Sequence, residues 1–501
     1  MKKIAVLVFV LTFLVGSTVI MTEALINNSD KLIETNAITL TIVTRHDVTI
    51  TNEFTSQFLA SPRAIELGIT DLDFRAATTD SGWKSLLQDP AIGVDIAWGG
   101  GPALFNTMEN WGLLKHIDNQ TLIDYINAKV PDDIAGAQTK SNDTSGHFIW
   151  VANAISSFGF TVNHDFLTQY GLPVPATWEE LASPTYYIDS SVKAVSMGDP
   201  PLTTSNTRIY QIILQAFGWE TGWSIITRMG ANAGIYPGSV DTRAAVVSGE
   251  VGIGMTIDFY GVIAKRENPN TEYIVPQGQS IVNGDPIALG INVDDQEAAE
   301  AFLQYLFSSE GQTVWMHEGL DRLPVNADAF QTPYGQTRTD LYALYNETLA
   351  NIGIPFDEIL STTTLATTIY YFHNTITERH NNLRKTWGEM VTQLRNTDIN
   401  SSYFQELVID LGAVNISSFE EAEVINEEFT DPTKAAEYEA KWRQFAGLKY
   451  DAIYCELTDT CGTETPTTPT DTETNPLQFI PVLFATIFIG TLVVILRRRR
   501  K

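Results

Sequence analysis

The stretch VDIAWGGGPALFNTMENWGLL, residues 94–114, predicts a strand, a glycine turn and a helix in succession. VDIAW is a short apolar strand, and three glycines follow it directly. Pro102 suits the first turn of a helix, because an N–H group at that position would have no partner within the helix. The helix has an apolar face formed by Leu104, Phe105, Met108 and Trp111. This order of elements is typical of an α/β fold.

The same alternation extends towards the N-terminus from this stretch. ITLTIV (38–43) and LDFRA (72–76) are short strands, and residues 48–60 and 81–88 are amphipathic. Strands that alternate with helices predict a parallel sheet covered on both faces. Such sheets bind ligands at the carboxyl ends of their strands.

A second α/β unit begins near residue 148. FIWVANAISSFGFTVN (148–163) predicts one or two extended strands, because it is apolar throughout and lacks helix caps. The remaining strands of this unit are predicted at 193–197, 251–256 and 272–277, and its helices at 178–183, 208–218 and 241–248. A helix over 295–308 should return to the first unit. Residues 337–450 are helical and amphipathic, which predicts an extra helical layer packed on the body.

Composition excludes several classes of protein. The 501 residues include 31 Lys and Arg against 60 Asp and Glu, a formal charge of −29. A dedicated nucleic-acid binder needs a basic face, so this class is excluded. Hydrophobic residues make up 44% of the chain, which excludes disorder throughout. Long apolar runs occur only at the two ends, which excludes a protein with several membrane spans.

Both ends of the chain predict export to the cell surface. Residues 1–24 have a basic start and a long apolar run, and they predict a signal peptide or an uncleaved anchor helix. Residues 479–496 are apolar or small and predict a single transmembrane helix. The tail RRRRK (497–501) should stay in the cytoplasm. The Thr- and Pro-rich segment 461–476 predicts an extended stalk, so the body should lie outside the cell, tethered at its C-terminus.

Cysteines and glycosylation sequons agree with this location. Cys455 and Cys461 are the only cysteines, and outside the cell a disulfide between them is expected. Six Asn-x-Ser/Thr sequons predict a glycoprotein, although such motifs also arise by chance. The sequons begin at Asn27, Asn119, Asn142, Asn346, Asn400 and Asn415.

Residues 38–335 resemble the extracellular solute-binding proteins of ABC importers, in the branch that includes iron(III), polyamine, thiamine and phosphonate binders. Four stretches carry the resemblance in the family's order: VDIAWGGGPALFNTMENWGLL, GFTVNHDFLTQYGLPVPATWEELASPTY, VSMGDPPLTTSNTRIYQIILQAFG and DDQEAAEAFLQYLFSSEGQTVW. The resemblance implies an α/β, two-lobed periplasmic-binding-protein-like (type II) fold with the ligand in the cleft between the lobes. It also implies an ABC transporter permease as partner, no cofactor and no enzymatic activity. C-terminal tethering departs from the family's usual lipid anchor and suggests an archaeal-style surface protein.

The resemblance also divides the chain into parts. The expected parts are the first part of lobe 1 (38–150), lobe 2 (151–286), the return to lobe 1 (287–336) and a helical C-terminal extension (337–460).

Two candidate ligand loops follow strands of the first unit. The first comprises Thr44, Arg45 and His46, where Arg45 is either an anion clamp or a surface charge near a helix start. The second is the run from Trp98 through Gly99, Gly100 and Gly101. Its glycines offer a close backbone approach and an anion nest, or only a tight turn. Trp98 either stacks on a ligand or packs in the core.

Further candidates belong to the second unit and to the return strand. Thr204, Ser205, Asn206 and Thr207 precede a helix, where they either bind a ligand or only cap the helix. Asp258 and Tyr260 follow the strand VGIGMT, and Asp258 is either a ligand for an amine or metal, or a helix N-cap. Weaker candidates are Tyr236 and Asp285.

The sequence leaves three hypotheses for the function, whereas it predicts a single fold class. A transport receptor for a small molecule or ion agrees with the resemblance, and the alternative is a structural or adhesive surface protein that reuses the fold. A secreted hydrolase is the third hypothesis, but the chain has no GxSxG, HExxH or Walker A motif. Iron binders of this family show two adjacent tyrosines where this chain has only Tyr260, so no iron(III) site with tyrosine ligands is expected, and no metal-ligating residue is named. Anionic, amine and metal ligands all stay open.

Overall fold

The computed structural model describes residues 37–460. The predicted signal peptide (1–24), stalk (461–476), transmembrane helix (479–496) and basic tail (497–501) lie outside the described residues, as do Asn27 and Cys461. Within residues 37–460, no helix combines the length and apolarity needed to cross a bilayer. Cys455 lies near the end of the last helix and is disulfide-bonded.

The described chain alternates strands and helices up to residue 324 and is helical after that. The strands are β1 (Ile38–Thr44), β2 (Ile69–Ala76), β3 (Ile96–Trp98), β4 (Leu114–Lys115), β5 (Asp133–Ile134), β6 (Ala137–Gln138), β7 (Lys140–Asn142), β8 (Phe148–Asn163), β9 (Val195–Gly198), β10 (Ala233–Tyr236), β11 (Ile253–Ile257), β12 (Thr271–Ile274), β13 (Val282–Gly290) and β14 (Leu323–Pro324). The helices up to this point are α1 (Val48–Leu59), α2 (Pro62–Leu67), α3 (Asp80–Gln88), α4 (Pro102–Asn110), α5 (Gln120–Lys129), α6 (His164–Tyr170), α7 (Trp178–Leu181), α8 (Thr204–Phe217), α9 (Trp219–Asn232), α10 (Ser239–Val247), α11 (Asp258–Glu267), α12 (Gln296–Phe307) and α13 (Ser309–Trp315). The later helices are α14 (Thr339–Ala350), α15 (Glu358–Thr363), α16 (Leu365–Phe372), α17 (His380–Arg395), α18 (Ser401–Gly412), α19 (Phe419–Glu428) and α20 (Pro432–Thr458), with a π-helical turn at His373–Thr377.

Lobe 1 is built on the strand order β2-β1-β3-β13. β1 pairs in parallel with β2 and β3, and β13 joins them in antiparallel orientation. The parallel strands are buried because helices cover the sheet, and Leu40, Ile42 and Val43 of β1 have no exposed surface. This arrangement agrees with the parallel sheet predicted from the first unit.

Lobe 2 is built on the strand order β10-β9-β11-β8, with β12 paired to β8 as well. β9 pairs in parallel with β10 and β11, whereas β8 is antiparallel to β11. The carboxyl ends of β9, β10 and β11 therefore lie at one edge of this sheet.

The two lobes share strand β8, which is one continuous strand of 16 residues. Its first half, up to Ser157, pairs with β13, and its second half, from Phe158, pairs with β11 and β12. The chain returns through the connection that leads from β12 past Ser280 into β13. The division into lobes at 151 and 286 stays a prediction, and the strand pairing favours limits a few residues away.

The first helix of the extension (337–460), α14, packs into the core of lobe 1 through side chains such as Leu341. The later helices of the extension pack on lobe 2 and share its hydrophobic core, which includes Trp387, Leu407 and Tyr450. Two buried indoles connect lobe 2 and the extension by hydrogen bonds. Trp387 Nε1 of the extension donates to Asn232 Oδ1 of lobe 2 at 2.8 Å, and Trp219 Nε1 of lobe 2 donates to the carbonyl of Ile416 in the extension at 3.0 Å. Burial of these side chains contributes about 1.5–3 kcal/mol each. From α16 onward the extension is thus a structural part of lobe 2, whereas α14 belongs to the core of lobe 1.

Candidate functional site

The loops after β1 and β3, the start of α11 and the residue before β14 lie together at the junction of the lobes. Burial raises the pKa of the Tyr260 hydroxyl, the charges of Arg243 and Arg322 lower it, and the charge of Asp47 raises it. Charged groups from both lobes therefore act on one tyrosine of lobe 2. We call this region the junction site.

Three consecutive glycines form the turn after β3. Their φ angles are +83° at Gly99, +110° at Gly100 and +86° at Gly101, all in the region that strongly favours glycine. A β-carbon on Gly99 would lie 2.6 Å from His46 Nε2. The turn therefore needs glycine for its backbone and for the close approach of His46.

The loop after β1 is ordered by its own polar groups. Asp47 is the N-cap of α1 and accepts from the N–H of Thr49 at 2.8 Å, while Thr44 Oγ1 accepts from the N–H of His46 at 3.0 Å. Arg45 is paired with Asp80 at 2.7 Å. Its charge is thus partly neutralised at the rim of the junction site.

His46 is buried at the centre of the junction site, with a side chain that is 4% exposed. Its ring packs against Trp98 and Trp315, with centroid distances of 4.6 and 5.5 Å. Burial lowers the pKa of His46 to about 4, so the ring is neutral at pH 7. Its Nε2 lies 3.3 Å from Asp285 Oδ2, yet neither atom has a hydrogen bond within residues 37–460.

Two arginines flank an aromatic pair in this site. The Arg322 guanidinium lies 4.4 Å over the Phe259 ring, Phe259 and Tyr260 are 4.5 Å apart, and the Arg243 guanidinium lies 5.5 Å from the Tyr260 ring. The nearest acidic atom to Arg322 is Asp285 Oδ2 at 3.7 Å, and the nearest to Arg243 is Glu267 Oε1 at 3.5 Å.

Both guanidinium groups keep donors free. Across residues 37–460, neither makes a side-chain hydrogen bond, and Nε of Arg243 is buried without a partner. Stacking holds a guanidinium plane in place and leaves its N–H edge available for a planar anion. The site can therefore hold a small anion without breaking an existing hydrogen bond.

Asp258 lies beneath the aromatic pair and is 1% exposed. Its carboxylate accepts from the backbone N–H of Ser157 at 2.6 Å and of Phe259 at 2.7 Å. Burial raises the pKa of Asp258 to about 6, although these hydrogen bonds favour the charged form. The residue fixes the start of α11 against crossing strand β8.

The start of α8 contributes a polar network beside Arg243. Thr203 is the N-cap of α8, one residue earlier than the predicted cluster, and Thr204 is exposed. Ser205 bonds Ser239 at 2.5 Å, and Ser239 lies one turn before Arg243 on α10.

The other members of that cluster are buried. Asn206 accepts from the Gly198 N–H at 2.9 Å, and Thr207 Oγ1 donates to the Thr203 carbonyl. Trp98 is likewise fully buried and donates from Nε1 to Asn153 at 3.1 Å. These three side chains therefore support the site from the core.

Tyr236 lies away from the junction site. Its hydroxyl donates to Glu250 at 2.7 Å, and its ring lines a cavity of about 400 Å³ between lobe 2 and the extension, together with Asp199 and His380. The structure thus brings Thr44, His46, the glycine turn, Asp258, Tyr260 and Asp285 together and leaves Tyr236 apart.

Sequence reasoning missed Arg243 and Arg322. Arg322 directly precedes β14, which pairs with β8, and this position could have marked it as a residue at the junction of the lobes. Arg243 gives no comparable signal, because it lies in the middle of α10. No group of three or more His, Cys, Asp or Glu side chains in the described part of the chain is arranged to hold a metal ion.

A curated protein resembles part of this chain. The phosphoglycerate transport regulatory protein PgtC of Salmonella typhimurium is 28% identical over 176 residues, which are 35% of this chain. The match spans only 43% of the length of that relative.

Two solved structures share the fold. The periplasmic binding protein AfuA from Actinobacillus pleuropneumoniae, solved with exogenous fructose-6-phosphate bound, is 17% identical with a TM-score of 0.50, over 68% of this chain and 98% of AfuA. The spermidine/putrescine ABC transporter substrate-binding protein PotD from Streptococcus pneumoniae is also 17% identical, with a TM-score of 0.51 over 67% of this chain and 98% of PotD. At such identities the likeness concerns the fold alone.

A family model described as bacterial extracellular solute-binding protein matches residues 95–345, half of the chain. This match includes β3, the glycine turn, both crossing connections and Arg322, and it agrees with the resemblance found in the sequence. The chain therefore belongs to the bacterial extracellular solute-binding protein family and has the two-lobed α/β fold of periplasmic binding proteins.

Proposed function

We propose that this protein is a membrane-tethered extracellular receptor that captures a small anionic solute at the junction site and delivers it to an ABC importer. The pair Arg243 and Arg322, with free donors on either side of Phe259 and Tyr260, carries the proposal. Delivery to a permease and tethering through residues 479–496 rest on the family and on the sequence.

The chemistry of the site favours an organic phosphate. Two guanidinium groups with free edges match the oxygens of a phosphate or carboxylate. The backbone N–H groups of the turn at Gly99–Gly101 offer further donors. Names of relatives agree with this class, since one is named for phosphoglycerate transport and another was solved with fructose-6-phosphate.

Capture should involve closure of the two lobes around the solute. The lobes are joined by β8 and by the connection into β13, and these two crossings supply a hinge. Arg243 belongs to lobe 2, whereas Arg322 belongs to the return segment of lobe 1, so an anion bound between them would draw the lobes together.

Removal of each arginine tests the anion site. We expect Arg322→Gln and Arg243→Gln in the full-length protein to weaken binding of fructose 6-phosphate or 3-phosphoglycerate by about 10- to 100-fold each, because each loses a charge-assisted hydrogen bond. Equilibrium binding at one fixed salt concentration measures the loss. The matched control is Arg63→Gln, since Arg63 is an exposed arginine already paired with Glu66 and Glu297. Equal binding by all three variants would contradict the proposal.

A further inference from the structure

Residues 351–363, here called the strap, run from the crossing connection to helix α8. At their start, the Gly278 N–H donates to Asn351 Oδ1 at 3.1 Å and the Ile354 N–H donates to the Ser280 carbonyl at 2.9 Å. The Ser280 hydroxyl in turn donates to the Phe158 carbonyl of β8 at 2.5 Å. The strap therefore begins at the hinge between the lobes.

The second half of the strap, helix α15, is fixed to lobe 2. Arg208 of α8 forms an ion pair with Glu358 at 3.0 Å and donates to Ser361 Oγ at 2.9 Å. Gln211 and Ser361 exchange two hydrogen bonds of 2.7 and 2.8 Å. Arg208 and Ser361 are both largely buried, so this attachment is shielded from solvent.

Helix α15 also packs against α4 of lobe 1. α4 starts at Pro102, directly after the glycine turn of the junction site. A helix anchored on lobe 2 thus contacts a helix of lobe 1, and neither helix is part of the two crossing connections. The contact exists in a conformation in which the lobes lie together, because the guanidinium of Arg322, in the return segment of lobe 1, lies 4.4 Å over the ring of Phe259 in lobe 2.

We propose that the strap is a latch between the lobes. Opening of the cleft by rotation about the crossing connections separates α4 from α15, because α15 moves with lobe 2. The contact is then made only when the lobes are together, and it favours the closed conformation over the open one. A receptor whose closed state is more populated binds its solute more tightly by the same factor.

The latch is tested on the solute-free, full-length protein by distances between spin labels on the two lobes. Ile65→Cys on lobe 1 and Val174→Cys on lobe 2 place labels at exposed positions. We expect Arg208→Glu to raise the ratio of the longer-distance to the shorter-distance population by about fivefold, because it replaces an ion pair with a repulsion against Glu358.

Two controls keep the outcome clear. The charge-swapped variant Arg208→Glu with Glu358→Arg should restore the distribution of the parent protein, which excludes mere misfolding of α8. Ile359→Ala changes an exposed side chain on the same helix and should have no effect, since Ile359 is 74% exposed. An unchanged distribution in folded Arg208→Glu, or no recovery on the charge swap, would overturn the latch. No solute is present, so the result is independent of the proposed anion site.

Discussion

The surroundings of His46 determine its charge state. Its ring is enclosed by Trp98, Trp315 and the turn at Gly99, and its Nε2 faces Asp285 without a hydrogen bond within residues 37–460. Burial opposes its positive charge more strongly than Asp285 favours it. His46 is therefore an uncharged, buried side chain that packs beneath the proposed anion site and adds no charge to it.

The lowered pKa of His46 predicts a pH dependence of stability. Between pH 6.5 and 4 the unfolded chain protonates His46 while the folded chain does not, so the free energy of unfolding falls as the pH falls. We expect a loss on the order of 3 kcal/mol that is absent in His46→Asn. Urea denaturation across this pH range measures the loss of stability. The control is His164→Asn, because His164 lies at the surface. The same pH slope in His46→Asn as in the parent protein would contradict a buried, neutral His46.

Gly99 offers a second test at the level of one residue. Gly99→Ala introduces strain at φ +83° and a contact of 2.6 Å with His46, so we expect a loss of about 2–4 kcal/mol of stability. Gly136→Ala is the matched control, because Gly136 has φ +86° but nothing within 4 Å of its added β-carbon. Denaturant unfolding compares the two variants. Equal losses would show that the turn does not need the close approach of His46.

Residue types alone could predict part of the site. The glycine turn and the loop after β1 were predicted because each directly follows a recognisable strand, and a strand end places its loop at the edge of the sheet. Arg243 and Arg322 could not be predicted this way, since they reach the site from the middle of a helix and from a segment far along the chain. Trp98 and Asn206 were candidates by position, but their side chains turn into the core.

At the scale of elements, the extension is the part of the fold for which the sequence does not predict the packing. Amphipathic helices after residue 337 indicate a layer, but not which lobe it covers. The structure shows that α17 and α18 complete the core of lobe 2, with Trp387 against Phe404 at 5.7 Å. Strand β8 was predicted as one or two strands, because an apolar run does not reveal where its pairing partners change.

Loss of the buried indole in α17 should therefore destabilise lobe 2. We expect Trp387→Ala to lower the free energy of unfolding by about 3–5 kcal/mol, since it leaves a cavity and removes the hydrogen bond to Asn232 Oδ1. Ile409→Ala on the neighbouring helix α18 is the control, because Ile409 is 71% exposed and its loss should cost less than about 0.5 kcal/mol. Thermal unfolding followed by tryptophan fluorescence and circular dichroism provides the comparison. A small effect of Trp387→Ala would mean that the extension is an independent unit.

At the scale of the whole molecule, the lobes are joined by two crossings and by the strap. The crossings permit rotation, the junction site supplies charges from both lobes, and the latch adds a contact that depends on closure. These features agree with a receptor that closes on its solute. The net charge of −29 does not oppose an anionic solute, because local guanidinium groups set the field within the site.

The most direct test of this account is titration calorimetry of the full-length protein with solutes that differ only in charge class. We predict that fructose 6-phosphate or 3-phosphoglycerate binds with a measurable heat, while fructose, glycerol and spermidine do not. Small-angle scattering of the same samples should show a smaller radius of gyration with the anion than without it. Binding of spermidine in place of the phosphates, or no binding by any of these solutes, would contradict an anion receptor.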